Sequence, residues 1–187
     1  MATHQVVNGV DVNRLKQTIG NVSGDPERAQ FQFRATHKWF SGAHACTTIE
    51  DFFGAGQEDT SRRQPFRLEA DEPAVLLGED HGPNATEALL HALASCLSAT
   101  FIYHAAAKGI DIEGLTLELE GDLDIRGFLG VSNAVRNGFS QIRVTFRVDS
   151  DAPENQIEEL VALAQRRSPV FDMVSNPVPV AASLEMQ

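Results

Sequence analysis

The stretch that decides the fold is Asn84 to Lys108, NATEALLHALASCLSATFIYHAAAK, the longest segment whose apolar residues recur at helical spacing with no Gly or Pro inside it. Pro83 precedes it, Asn84 or Thr86 can accept the first free backbone N–H groups, Glu87 stands in the first turn, and Lys108-Gly109 closes it. Leu89, Leu90, Leu93, Leu97, Phe101 and Ile102 make a stripe wider than one surface face, and the alanines between them leave room for close neighbours. The spacing predicts a buried helix. His91, Ser95, Ser98, Tyr103 and His104 interrupt the apolar run too often for a membrane span, so the expected burial is in protein.

Outward from this helix the chain alternates in type. Toward the N-terminus, Val7 to Gly24 reads as a short amphipathic helix with Asp11 as cap, part of a helical appendage over residues 1–29. FQFRATHKWF (31–40) alternates and predicts a half-buried strand; Ser41-Gly42 turns it into a partner, 43–49, that carries His44 and Cys46 on one face. Residues 51–64 read as a long polar loop before a strand at 66–69. Toward the C-terminus, 112–125 and 142–148 alternate as two antiparallel strands, and 152–167 shows helical spacing after the start signal Asp151-Ala-Pro-Glu. Ser168-Pro169 ends that helix, and 177–186 is expected as a last edge strand. The order predicts an α+β fold with antiparallel strands and helices on one face, a single domain over 30–187.

Composition removes several classes of function. A net charge of −11 over 187 residues, with no basic run longer than Arg62-Arg63 or Arg166-Arg167, argues against nucleic acid as a partner. MATHQVVNGVDVN lacks a basic region followed by an apolar one, which points to a cytoplasmic protein with no membrane attachment. Cys46 and Cys96 form neither a disulfide framework nor a C-x-x-C pair. His4, His37, His44, His81, His91 and His104 contain no metal-ligand spacing, and no metal or cofactor is expected. Glu118, Glu120, Asp122 and Asp124 alternate as the solvated side of a strand would, and GAGQED lacks the strand and helix a phosphate loop needs.

Among nucleophiles, Cys96 is central to the long helix yet about three turns from its N-terminus, so a tertiary Arg or His would have to stabilise its thiolate. Residue patterns alone leave a buried packing role open for it. His91 and Ser95 lie one turn apart with no orienting carboxylate and no G-x-S-x-G elbow.

DEPAVLLGEDHGPNATEALLHALASCLSAT, then GDLDIRGFLG, then RRSPVFDMVSNPVPV, resembles the OsmC-like superfamily, which includes osmotically inducible protein C and the organic hydroperoxide resistance proteins. The resemblance runs from about residue 30 to the C-terminus. It implies an intertwined homodimer with antiparallel sheets and two long central helices. It also implies a peroxidatic Cys on the central helix, an Arg and a Glu that hold its thiolate ready, and a resolving Cys just before a Pro. Carried over, the peroxidatic position falls on Cys96 and the supporting Glu on Glu87, one place later than in the hydroperoxide-resistance pattern. The Arg position falls in Gly42-Ala43-His44, leaving His44 as the substitute, and the resolving position falls on Ser168, which cannot form a disulfide. Arg62, Arg63 and Arg67 are further candidates for the cation. Two functions follow. One is a single-cysteine thiol peroxidase acting on a small hydrophobic peroxide with an external thiol reductant; the other is a non-catalytic dimeric module binding a small hydrophobic ligand.

Overall fold

The computed structural model describes residues 5–186, so the first four residues of the expected appendage lie outside the described residues. It is an α+β chain whose described residues fall into two compact units: residues 11–89 with residue 5, and residues 90–186 together with 6–10.

The unit formed by 90–186 is built on an antiparallel pair, β9 (Gly114–Asp122) and β10 (Gln141–Asp149), in unbroken register from Gly114↔Asp149 to Asp122↔Gln141. Opposed residues share a face, so Leu115, Leu117, Leu119, Ile142, Val144, Phe146 and Val148 all turn inward. The helices α2 (Ala85–Lys108) and α4 (Glu154–Arg167) cover that face. Leu93, Leu97, Phe101 and Ala105 recur every four residues on α2 and meet Leu160 and Ala164 of α4, with the Phe101 and Phe146 rings 5.9 Å apart. On the outer face Arg147 bonds Glu118 at 2.8 Å, and Arg143 bonds Glu120 at 3.2 Å and also Asp122. The carboxylate row is therefore the solvated side that its alternation predicts.

The helix α2 begins as its sequence dictates. Asn84 Oδ1 accepts the Thr86 and Glu87 N–H groups at 3.0 and 2.9 Å, while Glu87 Oε2 accepts the Asn84 N–H at 2.9 Å, a reciprocal capping box. Burial is narrower than the sequence predicts. Leu93, Leu97, Phe101, Ala105 and Ala106 are buried, whereas Leu89, His91 and Tyr103 are exposed, because one sheet and one helix cover only one stripe.

The unit over 11–89 carries β4 (Thr36–Ser41), β5 (His44–Ile49) and β8 (Phe66–Ala70) as one antiparallel sheet in the order β4-β5-β8. Gly42, at φ 55°, makes the β4–β5 turn, and the Trp39 indole N–H closes it on the Gly42 carbonyl at 3.0 Å. The expected strand at 31–40 is broken into β3 (Gln32–Phe33) and β4, and it is exposed throughout rather than half-buried. On its apolar face Trp39 is continued by Phe66 and Leu68 of β8, all three largely exposed, with Arg62 over the Phe66 ring.

Four further expectations are corrected. Val7 to Gly24 is not one helix: β1 (Val6–Val7) and β2 (Val10–Asp11) form a hairpin through Asn8-Gly9, both at positive φ, before α1 (Val12–Gly24). Asp11 does cap α1, accepting the Arg14 N–H at 3.0 Å. The supposed loop at 51–64 contains β6 (Phe52–Gly54) and β7 (Gln57–Asp59), paired with each other and with β3. A short α3 (Ile125–Phe128) lies in the β9–β10 connection. Pro169 starts a helix, α5 (Pro169–Ser175), instead of only ending one, and 176–186 forms no strand among the described residues.

Candidate functional site

The strand β5 places His44 and Cys46 two residues apart, hence on one face, and β8 brings Glu69 opposite Cys46 on that same face. Glu69 Oε2 lies 3.0 Å from His44 Nε2. Its carboxyl is held below the usual carboxylate range, first by His44 and, against its partial burial, also by the Cys46 thiol and Arg67. Cys46 itself is only 3% exposed.

The segment after β8 folds back onto this face. Asp71, 4% exposed, accepts the backbone N–H groups of Glu72 at 2.8 Å, Glu79 at 3.1 Å and His81 at 3.3 Å, and takes the His81 ring at Nδ1 at 2.7 Å. The turn is tight enough that a Cβ at Gly78 would lie 1.7 Å from the Glu72 carbonyl oxygen. These bonds, led by that of His81, hold the Asp71 carboxyl far below its ordinary range, and Asp71 in turn raises the His81 imidazole above its own. The outcome is a face-to-face stack of His44 and His81, ring centroids 4.1 Å apart and planes 11° from parallel. A cavity of about 170 Å³ is bordered by Ser41 to His44 on one side and by Asp71, Leu77 to Glu79 and His81 on the other.

Cys96 sits on α2 at the flank of the buried stripe, between Leu93 and Leu97, and is partly exposed. The expectation of a fully buried thiol therefore belongs to Cys46, not Cys96. Thr100 Oγ1 donates to the Cys96 carbonyl at 2.8 Å, so the backbone there has a second acceptor bond beyond the helix ladder. About one turn from the helix end, burial pushes the His104 imidazole down, aided by Arg167 and Lys108. Glu87 is committed to the capping box of α2. Ser168 is 1% exposed and its Oγ accepts the Phe171 N–H at 3.1 Å, so it joins α4 to α5 as the N-cap of the latter.

Of the expected cations, Arg62 lies over the Phe52 and Phe66 rings at 5.1 and 5.2 Å and donates to the Glu50 carbonyl, and Arg67 reaches Glu69 at 3.9 Å. Sequence reasoning missed Glu69, Asp71 and His81. Glu69 was visible as the cross-strand partner of the His44 face once β8 pairs with β5. Asp71 and His81 are ten residues apart and meet only because the glycine-bearing turn closes between them. Among the described residues no cluster of His, Cys, Asp or Glu is arranged to hold a metal ion.

A family model described as OsmC-like protein matches residues 78–183. Among solved structures, the OsmC-like protein from Mycoplasma pneumoniae is 19% identical over 78% of this chain and 89% of its own, with a TM-score of 0.60. The organic hydroperoxide resistance protein OsmC from Legionella pneumophila is 18% identical over 75% of this chain and 88% of its own, with a TM-score of 0.52. At these identities the structural likeness speaks for the fold. No curated protein matches the sequence.

Proposed function

Because the chain belongs to the OsmC-like family, we propose that it reduces organic hydroperoxides through one cysteine, Cys96, as a cytoplasmic homodimer. The observation that carries this reading is the contrast between the two thiols: Cys96 is partly open on the long helix inside the matched segment, whereas Cys46 is enclosed. Solved relatives named as hydroperoxide resistance proteins support the substrate class.

The reaction proceeds in three transfers. The Cys96 thiolate attacks the terminal oxygen of the hydroperoxide; an S–O bond forms, the O–O bond breaks, and the alkoxide takes a proton to leave as alcohol. Cys96 is now a sulfenic acid. A first external thiol condenses with it, releasing water and leaving a mixed disulfide, and a second thiol attacks that disulfide to free Cys96. The external thiol is required because Ser168 stands at the resolving position and its hydroxyl is already engaged as a helix cap. His44 is the group proposed to stabilise the thiolate, with Glu87 in support at the start of the same helix as Cys96.

The capped Ser168 also favours a second reading, a dimeric module that binds a small hydrophobic ligand without turnover. Steady-state consumption of cumene hydroperoxide in the presence of a dithiol separates the two. Turnover that is lost in Cys96→Ser is expected, and ligand protection of the folded chain with no peroxide consumed would replace the enzyme by the binding module.

A further inference from the structure

We infer that Asp71 and His81 are positioning residues that hold the His44 imidazole in one orientation and one tautomer beside the small cavity. The inference rests on the reading above only for what His44 then serves. His44 is gripped from three directions: its Nε2 is 3.0 Å from Glu69, the His81 ring lies parallel at 4.1 Å, and the Phe40 ring meets it edge-on at 5.1 Å.

The His81 ring is 42% exposed but anchored. Its Nδ1 bonds a carboxylate that is 4% exposed and already receives three backbone N–H groups, so the acceptor that holds the ring is itself fixed by the turn. A Cβ at Gly82 would lie 2.3 Å from the Glu69 carbonyl oxygen, so the chain beyond His81 is pressed directly onto β8. Each imidazole thus gives one nitrogen to a carboxylate. Donation from His44 Nε2–H to Glu69 leaves His44 Nδ1 as a lone pair, and donation from His81 Nδ1–H to Asp71 leaves its Nε2, which Glu79 approaches at 3.7 Å. The other charged or titratable groups facing the pair are Arg67, 3.9 Å from Glu69, and the Cys46 thiol. The ring atom of His44 left for a guest in the cavity is therefore Nδ1, and the Asp71–His81 pair keeps the ring from turning over.

Histidine nitrogen NMR on the full chain tests this, with exposed His91 as internal reference. In the wild type, His44 should show its Nε2–H tautomer at least about tenfold over the other, the ratio set by one bond to a charged acceptor. His81→Leu removes ring and anchor, lets His44 turn away from Glu69, and should lower the ratio toward that of His91. His81→Phe restores the stack and should recover it, while Asp71→Asn, which keeps the shape of the turn, should give an intermediate ratio. Mixed tautomers in the wild type, or an unchanged ratio in both His81→Leu and Asp71→Asn, overturn the inference. Should His81→Leu fail to fold, Asp71→Asn and the wild type decide alone. The pH profile of Cys96 alkylation then tests the other reading separately. If His44→Gln leaves that profile unchanged while His81→Leu still mixes the tautomers, the positioning stands and the role given to His44 toward Cys96 falls.

Discussion

The β9–β10 pair and the β4–β5–β8 sheet carry the same alternating pattern and end in opposite states. In the first, every apolar residue of one face is packed under α2 and α4, and Phe101, Leu97 and Leu160 are fully enclosed. In the second, Trp39, Phe66 and Leu68 share a face by register, yet they are 66%, 58% and 53% exposed. Alternation thus tells which side of a strand is apolar, but not whether the chain itself supplies a cover. The first sheet is held by its apolar core; the His44 face of the second is backed by a polar hub, Asp71. The exposed aromatic face is what the proposed second copy of the chain would have to cover.

The largest effect expected from this contrast is in the apolar core. Phe101→Ala should cost about 3–5 kcal/mol, read as a lower denaturant midpoint, because it empties the centre of the α2/β10 contact. Leu68→Ser should leave the folded chain within about 0.5 kcal/mol of the wild type when measured as a monomer, and Trp39→Ser, which also loses the indole bond to Gly42, should cost about 1 kcal/mol. If a second copy covers that face, each change should weaken the dimer by about 2 kcal/mol, roughly thirtyfold, in sedimentation or light scattering. A folded monomer at every concentration would remove the proposed dimer.

Ser168→Cys probes the apolar unit at the buried joint between α4 and α5. Loss of the cap should cost about 1 kcal/mol. Against that, the new thiol should form a disulfide with Cys96 after one equivalent of peroxide, with Cys46 untouched in peptide maps. A Cys46–Cys96 disulfide in the wild type would show that the resolving site is misplaced.

The smallest effect, and the most local, concerns pH. His81 has a folded value raised by Asp71, so its contribution is fully present below the ordinary imidazole range near 6.5 and is lost as pH rises through the raised value. Asp71 is depressed, so its contribution is present above the ordinary carboxyl range near 3.9 and is lost as pH falls through the depressed one. Protection of the Glu79 and His81 amides against hydrogen exchange should therefore be greatest between about pH 4 and 6.5; β9–β10 amides, where Arg147 and Arg143 likewise depress Glu118 and Asp122, should lose protection only on the acid side and stay level as pH rises past about 6.5. Equal pH dependence in both units would erase the distinction between them.

How far the chain could be read in advance follows the same division. Long periodic elements, α2, α4, β9 and β10, were legible because each buries a repeated face. The Asn8-Gly9 dipeptide announces a hairpin that the helical spacing around it masked. Phe52 and Phe53 were hidden in a polar stretch, since strands of three residues carry too little alternation to be seen. After a helical stretch Pro169 reads as a stop, although proline at a first helical position starts helices equally well. Of the candidate site, Cys96, Glu87, His44 and Ser168 follow from residues and resemblance, whereas the hub does not. Asp71 and His81 owe their meeting to one closed turn, and a turn of that kind has no period.

The central claim is that Cys96 is the thiol that meets peroxide. It is tested most directly by adding one equivalent of cumene hydroperoxide, trapping the sulfenic acid with a dimedone-type reagent, and mapping the adduct by mass spectrometry. The account predicts an adduct at Cys96, formed faster than with hydrogen peroxide and absent in Cys96→Ser, with Cys46 unmodified. An adduct at Cys46, or none at Cys96 under conditions where free thiol is fully oxidised, would contradict it.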